Sequence, residues 1–254
     1  MADEGLRVAV AGVRGKMGRM AAESLADAPG IRYVGGLVRA QTPTRAGEHA
    51  DFGSLLAEGS PQVIVDFTAM PASLEIALAA VGNGVRPVIG TSGYGRADLS
   101  RLRAECKRAE VGGVYAPNFA LGAVLMMRFA EIAAKHFATA DIIEMHDSAK
   151  KDAPSGTAMA TAQRVGAAGR FHRHSAATQG AECAQGATVS GVGVHSLRLR
   201  GVIAHQEILF GGDAETLSIR HDTYSRASFM GGMLVAVRAA PKLARLVEGI
   251  EELL

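Results

Sequence analysis

The chain has no tryptophan among its 254 residues, and aromatic residues of all kinds make up only 5%. An aromatic platform for stacking bases is therefore not expected. Cysteine is nearly as scarce, with Cys106 and Cys183 the two present. Two cysteines build no disulfide framework and have no zinc-ligand spacing, so the expectation is reduced thiols in a cytoplasmic protein. Charge of one sign is not in excess either. Lysine and arginine number 27 against 25 aspartates and glutamates, a formal net charge of +2, and the basic residues are scattered. No nucleic-acid partner is expected from such a balance. No apolar run approaches the ~18 residues of a membrane span, so no membrane partner is expected. The amino-terminal MADEGLRVAV is acidic before it turns apolar, unlike a secretion signal. There remains a globular chain, 48% hydrophobic and 20% charged, long enough for one large domain or two modest ones.

Glycine, by contrast, is plentiful and placed. Residues 7–11, RVAVA, read as a buried parallel strand. GVRGKMG follows, with Gly12, Gly15 and Gly18, and then a helix begins. Gly12 permits a tight turn, Gly15 lets a pyrophosphate approach the backbone, and Gly18 lets the helix pack close to the strand. The spacing is GxxGxxG rather than GxGxxG, because Arg14 occupies the usual middle glycine. A ligand-free strand–helix turn is the alternative, and the placement straight after the first strand favours a dinucleotide. The next strand, Tyr33–Val38, ends at Val38-Arg39, where an NAD site usually carries a carboxylate. A guanidinium there predicts NADPH in preference to NADH, with Arg39 on the 2′-phosphate and Lys16 or Arg14 assisting. The alternative is an ordinary exposed loop arginine.

Strands and helices alternate onward: a helix over 51–57, a strand over 62–67, a helix from Pro71, a strand over 86–89, a helix over 98–109 and a strand over 113–116. Such alternation means a parallel, doubly wound sheet. The loop Gly90-Thr91-Ser92-Gly93 follows a strand's carboxyl end, where such sheets bind ligands. After Pro117-Asn118 the pattern changes. A long apolar helix is expected over 120–137, a strand over 140–145 and a helix over 155–168. Residues 171–186 look irregular, and His172 and His174 there read as exposed loop histidines, so no metal site is expected. Strands over 188–199, 202–210 and 215–221, without intervening helices, predict an antiparallel or mixed sheet whose face is a candidate for self-association. Residues 228–246 read as one amphipathic helical run that returns to the first domain. The fold class is thus α/β, a Rossmann-type parallel sheet (1–117 plus 227–254) with a second α+β domain (118–226) for substrate and oligomerisation.

The richest chemistry lies in Glu144–Ala158, EMHDSAKKDAPSGTA. His146 can give or take a proton near neutral pH. Lys150 brings a positive charge. Ser155, Gly156 and Thr157 stand where a loop becomes a helix, and the first N–H groups of a helix suit a carboxylate. Together they suggest a small anionic substrate that must be protonated. The plain alternative is a surface histidine beside a lysine, followed by an ordinary turn.

Taken together, these stretches resemble the dihydrodipicolinate reductase family of lysine and diaminopimelate synthesis. The resemblance covers Val8–Gly18, VDFT at 65–68, GTSG at 90–93, APNF at 116–119, the signature E-x-H-x-x-x-K-x-D-x-P-S-G-T-A around His146, HQEILFG at 205–211 and IRHDTYSRASF at 219–229. It implies that Gly12, Val13, Arg14, Gly15, Lys16 and Met17 hold a pyrophosphate, and that Gly90, Thr91, Ser92, Ala116, Pro117, Asn118 and Phe119 line the nicotinamide end. It implies that His146 is the acid/base residue, Lys150 a proton donor or electrostatic partner, and Ser155, Gly156 and Thr157 a carboxylate seat. A small dicarboxylate substrate, a nicotinamide nucleotide and a homotetramer are implied as well. Asp147 stands where many members carry a second, substrate-binding histidine; a carboxylate facing a dianion repels it unless paired, so either Asp147 turns away, or substrate affinity is weakened, or the substrate is a different one.

Overall fold

The computed structural model describes residues 5–171 and 184–254. His172, His174 and Cys183 lie outside them. In chain order the strands and helices are β1 (Leu6–Ala11), α1 (Lys16–Ala26), β2 (Ile31–Leu37), β3 (Glu48–His49), α2 (Phe52–Gly59), β4 (Val63–Asp66), α3 (Ala72–Gly82), β5 (Arg86–Ile89), α4 (Arg96–Ala109) and β6 (Gly113–Tyr115). These are followed by α5 (Leu121–Ala133), β7 (Thr139–Asp147), α6 (Gly156–Ala168), β8 (Ala187–Val189), β9 (Val192–Leu199), β10 (Ala204–Gly211), β11 (Thr216–Thr223), α7 (Ser228–Ala239) and β12 (Leu246–Glu248). The chain divides into two compact units, 1–120 with 226–254 and 121–225.

The first unit is built on a seven-stranded sheet in the order β12-β6-β5-β4-β1-β2-β3. Its pairings are parallel. The central strands are mostly apolar because helices cover both faces of a parallel sheet. Accordingly Val8, Val10, Val63, Ile64 and Val65 have no exposed surface. The chain builds outward from β1 through β2 to β3, then crosses to β4 on the other side of β1. That reversal is a switch point, and the loops after the carboxyl ends of β1 and β4 open there.

The second unit carries a five-stranded sheet in the order β11-β10-β7-β9-β8. It is mixed: β7 and β9 run parallel and the remaining pairs are antiparallel. Along β7 and β10 every second residue is buried, Ala140, Ile142 and Glu144 on one and Gln206, Ile208 and Phe210 on the other. Alternate side chains of a strand share a face, so this row packs inward beneath α5 and α6. Glu144 continues an apolar row as a carboxylate.

Three expectations required correction. Residues 228–246 are not one helix: α7 ends at Ala239, a 3-10 turn holds Pro241, and Leu246–Glu248 becomes a strand pairing with β6. Proline lacks the N–H that helix continuation requires. Residues 188–199 are two strands in a hairpin, β8 and β9, turned at Ser190-Gly191, both with positive φ. The helix expected over 120–137 spans only Leu121–Ala133.

Candidate active site

The first unit offers a cavity of about 900 Å³ at the switch point, lined by Gly12, Arg14, Gly15, Val38, Arg39 and Thr68 among others. A volume of that order suits a cofactor. The glycine loop makes the cavity by what it omits. Gly12 adopts φ +76°, and a Cβ there would come within 2.8 Å of the Phe67 carbonyl oxygen. A Cβ on Gly18 would overlap the Gly12 carbonyl, so only glycine lets α1 start this close to β1. The cradle therefore fits a pyrophosphate at a helix N-terminus. Lys16 and Arg39 are exposed, while Val13 and Met17 are half-buried.

Arg14 is not free. Its Nε donates to Glu48 Oε1 at 3.0 Å and its Nη2 to Oε2 at 2.5 Å and to the Pro43 carbonyl at 2.7 Å. The Arg14 guanidinium holds the Glu48 carboxyl down to about 2. Glu48 lies on β3, which is two residues long and too short to show a sequence period.

At the end of β4, Asp66 is buried with 1% of its surface exposed. Its Oδ1 accepts from Thr68 N at 3.1 Å and Thr68 Oγ1 at 2.6 Å, and its Oδ2 from Thr91 Oγ1 at 2.8 Å and from Ser73 Oγ. Tyr94 joins through Ser73 at 2.8 Å, and burial pushes its hydroxyl up to about 12. One carboxylate thus ties the loops after β4 and β5 together. Thr91, expected to line the nicotinamide end, uses its hydroxyl to hold this loop. Gly90 lies against the Phe67 ring, Ser92 and Pro117 are exposed, and Ala116 and Phe119 are buried. Asn118 Oδ1 accepts from Ala120 N at 2.9 Å.

In the second unit, β7 delivers Glu144 and His146 to one face, two residues apart. His146 Nδ1 lies 2.5 Å from Glu144 Oε2. From β9, where Arg198 pairs in register with His146, the guanidinium reaches both Glu144 oxygens at 3.0 and 2.9 Å. Ser155 N donates to Glu144 Oε1 at 3.2 Å. Burial raises the Glu144 carboxyl, but hydrogen bonds from Arg198, Ser196 and His146 and the Arg198 charge outweigh it, leaving it below its ordinary range. An ionised carboxylate accepts only, so His146 must carry its proton on Nδ1 in this bond, which leaves Nε2 outside it. Glu144 and Arg198 were not picked out as site residues. Glu144 had a signal, its i−2 spacing from His146 on a strand. Arg198 had none, since only the β7–β9 register brings it there.

Lys150 Nζ pairs with Asp152 Oδ1 at 2.8 Å and keeps 28% of its side chain exposed. The pleat turns Asp147 away from the face of His146. Asp147 Oδ1 accepts from Ala149 N at 2.9 Å and its carbonyl from Lys150 N at 3.0 Å, so it shapes the turn that carries Lys150. At the start of α6, the Ser155 side chain accepts from Ala158 N at 3.1 Å. Gly156 and Thr157 form the first turn, and space beside Gly156 is open to at least 4 Å.

Among the described residues no group of histidine, cysteine and carboxylate side chains could hold a metal, and no helix is long and apolar enough to cross a membrane. Family models for the N-terminus and C-terminus of dihydrodipicolinate reductase match residues 6–119 and 122–254. The 4-hydroxy-tetrahydrodipicolinate reductase of Moorella thermoacetica is 43% identical over 98% of both chains. That of Bacillus licheniformis is 39% identical over the full length of both. The dipicolinate-bound dihydrodipicolinate reductase from Paenisporosarcina sp. TG-14 superposes with a TM-score of 0.92 at 37% identity, over 98% of this chain and 100% of that one. With this fold and these matches, the chain belongs to the dihydrodipicolinate reductase family.

Proposed function

We propose that the chain reduces 4-hydroxy-tetrahydrodipicolinate to tetrahydrodipicolinate in lysine and diaminopimelate synthesis, using NADPH in preference to NADH. The reaction adds one hydride and one proton to the ring and releases water. The bound nucleotide supplies the hydride; the chain binds, orients and protonates. Gly12–Met17 hold the pyrophosphate and Arg39 meets the 2′-phosphate, as the glycine cradle and the exposed guanidinium beside it support. The loops at Gly90–Ser92 and Ala116–Phe119 border the nicotinamide end.

His146 exchanges the proton at Nε2. The observation that carries this reading is the buried Glu144 clamped by Arg198, because its carboxylate oxygen fixes the imidazole's tautomer. Lys150 faces a substrate carboxylate, and the open first turn of α6 at Gly156 and Thr157 takes the other through free N–H groups. Asp147 serves by holding the turn under Lys150. The test is the loss of nicotinamide absorbance when purified protein meets NADPH and the product of dihydrodipicolinate synthase. Tight NADPH binding without turnover refutes the reading.

The open face of the second sheet supports self-association into a homotetramer in the cytoplasm. Leu197 and Leu199 are 41% and 46% exposed there. Sedimentation of the purified chain as a monomer refutes this.

A further inference from the structure

Two arginines border the cavity at the switch point, and they stand in opposite electrostatic states. Arg39 is exposed, and its guanidinium forms no ion pair among the described residues. Arg14 is matched by Glu48 in a two-pronged pair, at 3.0 and 2.5 Å. The carboxylate is itself fixed. Arg45 N donates to Glu48 Oε2 at 2.9 Å, and β3 pairs Glu48 with Gly36 on β2, the strand that leads to Val38 and Arg39. Only 13% of the Glu48 side chain is exposed, and its carboxyl, held at about 2, is ionised at any working pH. Planar bidentate pairing uses the same guanidinium edge that would grip a phosphate.

We propose that Glu48 is a specificity-determining residue for the nucleotide. By neutralising Arg14 it leaves Arg39, of the two arginines that line the cavity among the described residues, to distinguish a 2′-phosphorylated from a plain adenosine ribose. The chain thereby discriminates less sharply between NADPH and NADH than two free arginines would allow. The inference rests on reading this cavity as the nucleotide seat. It concerns the adenosine end alone, so it can be tested without turnover.

The experiment is calorimetric titration of the full chain with 2′,5′-ADP and with 5′-ADP, for wild type, Glu48→Gln and the double variant Arg14→Gln/Glu48→Gln. Glutamine keeps an acceptor for Arg14 and removes the charge. In Glu48→Gln the affinity for 2′,5′-ADP is expected to rise about threefold to tenfold, with 5′-ADP changing by less than about twofold. The gain is expected to shrink at high salt, as a screened charge effect must. The double variant is expected to return to the wild-type ratio. An unchanged ratio in Glu48→Gln overturns the proposal. So does a ratio in the double variant well below wild type, because Arg14 would then have been gripping the phosphate despite Glu48. If wild type shows no preference but Glu48→Gln acquires one, the masking of Arg14 by Glu48 stands, while the part given to Arg39 and the NADPH preference fall. If wild type prefers 2′,5′-ADP and Glu48→Gln leaves that preference alone, the reverse holds.

Discussion

Arg198→Met is the sharpest probe of the second unit. Glu144 has no exposed side-chain surface, and Arg198 is its neutralising partner at 2.9 and 3.0 Å. Removing one partner of a buried pair strands a charge and costs about 3–5 kcal/mol. For a chain of this size that corresponds to a fall in melting temperature of roughly 6–20 °C. The double variant Glu144→Gln/Arg198→Met removes the charge as well, and it is expected to regain at least half of the loss. The pH dependence carries the sign. In wild type the folded carboxyl lies below its ordinary 4.5, so its contribution is present above that value and fades as pH falls through the folded one. In Arg198→Met the bonds from Ser196 and His146 remain, but the guanidinium's bond and charge no longer offset burial, and the folded carboxyl rises. The single variant's deficit should then be greatest near neutral pH, begin to shrink as pH falls through the variant's raised folded value, and shrink further below about 4.5 as the wild-type contribution fades. Thermal melts followed by circular dichroism between acid and neutral pH read all three. If single and double variants melt together, or the deficit does not change with pH, the clamp is not what holds this region.

His146→Gln and Lys150→Ala should each lower turnover by roughly 10²-fold or more, as removal of a general acid does, with melting temperature nearly unchanged; near-wild-type steady-state rates in either would contradict the assigned roles. Gly18→Ala drives a methyl into the Gly12 carbonyl. It should destabilise the first unit by about 1–3 kcal/mol and weaken NADPH binding, measured by denaturant titration and by nucleotide fluorescence. Asp66→Leu leaves the Thr68, Ser73 and Thr91 hydroxyls without their acceptor. A loss of about 1–3 kcal/mol per stranded donor is expected, and a variant as stable as wild type would remove Asp66 from its organising role. Glu48, held at about 2 against an ordinary 4.5, stabilises above the latter value and loses that contribution as pH falls through the former. Glu48→Gln should therefore flatten the acid limb of the stability curve, and an unaltered limb counts against the Arg14 pair.

Periodicity carried the first unit. RVAVA, QVIVDF and RPVI are apolar runs that only a two-sided sheet can bury, and the glycines after the first of them mark a close approach no side chain permits. Local chemistry likewise exposed His146, Lys150 and the helix start at Ser155, because all of them lie within one short segment. Where sequence reading failed, the signal was weak or misleading: two-residue β3 is too short to have a period, and Leu246–Glu248 continues an apolar pattern that a helix shares, its strand state set by the open edge of β6. The long-range ion pairs were beyond it for a different reason. Arg198 reaches Glu144 across 54 residues and Glu48 reaches Arg14 across 34. A hydrogen bond acts over about 3 Å, and only strand register decides which distant residues come that close. The sequence determined which groups were available; the tertiary structure decided which charges are matched and which remain free to meet a ligand.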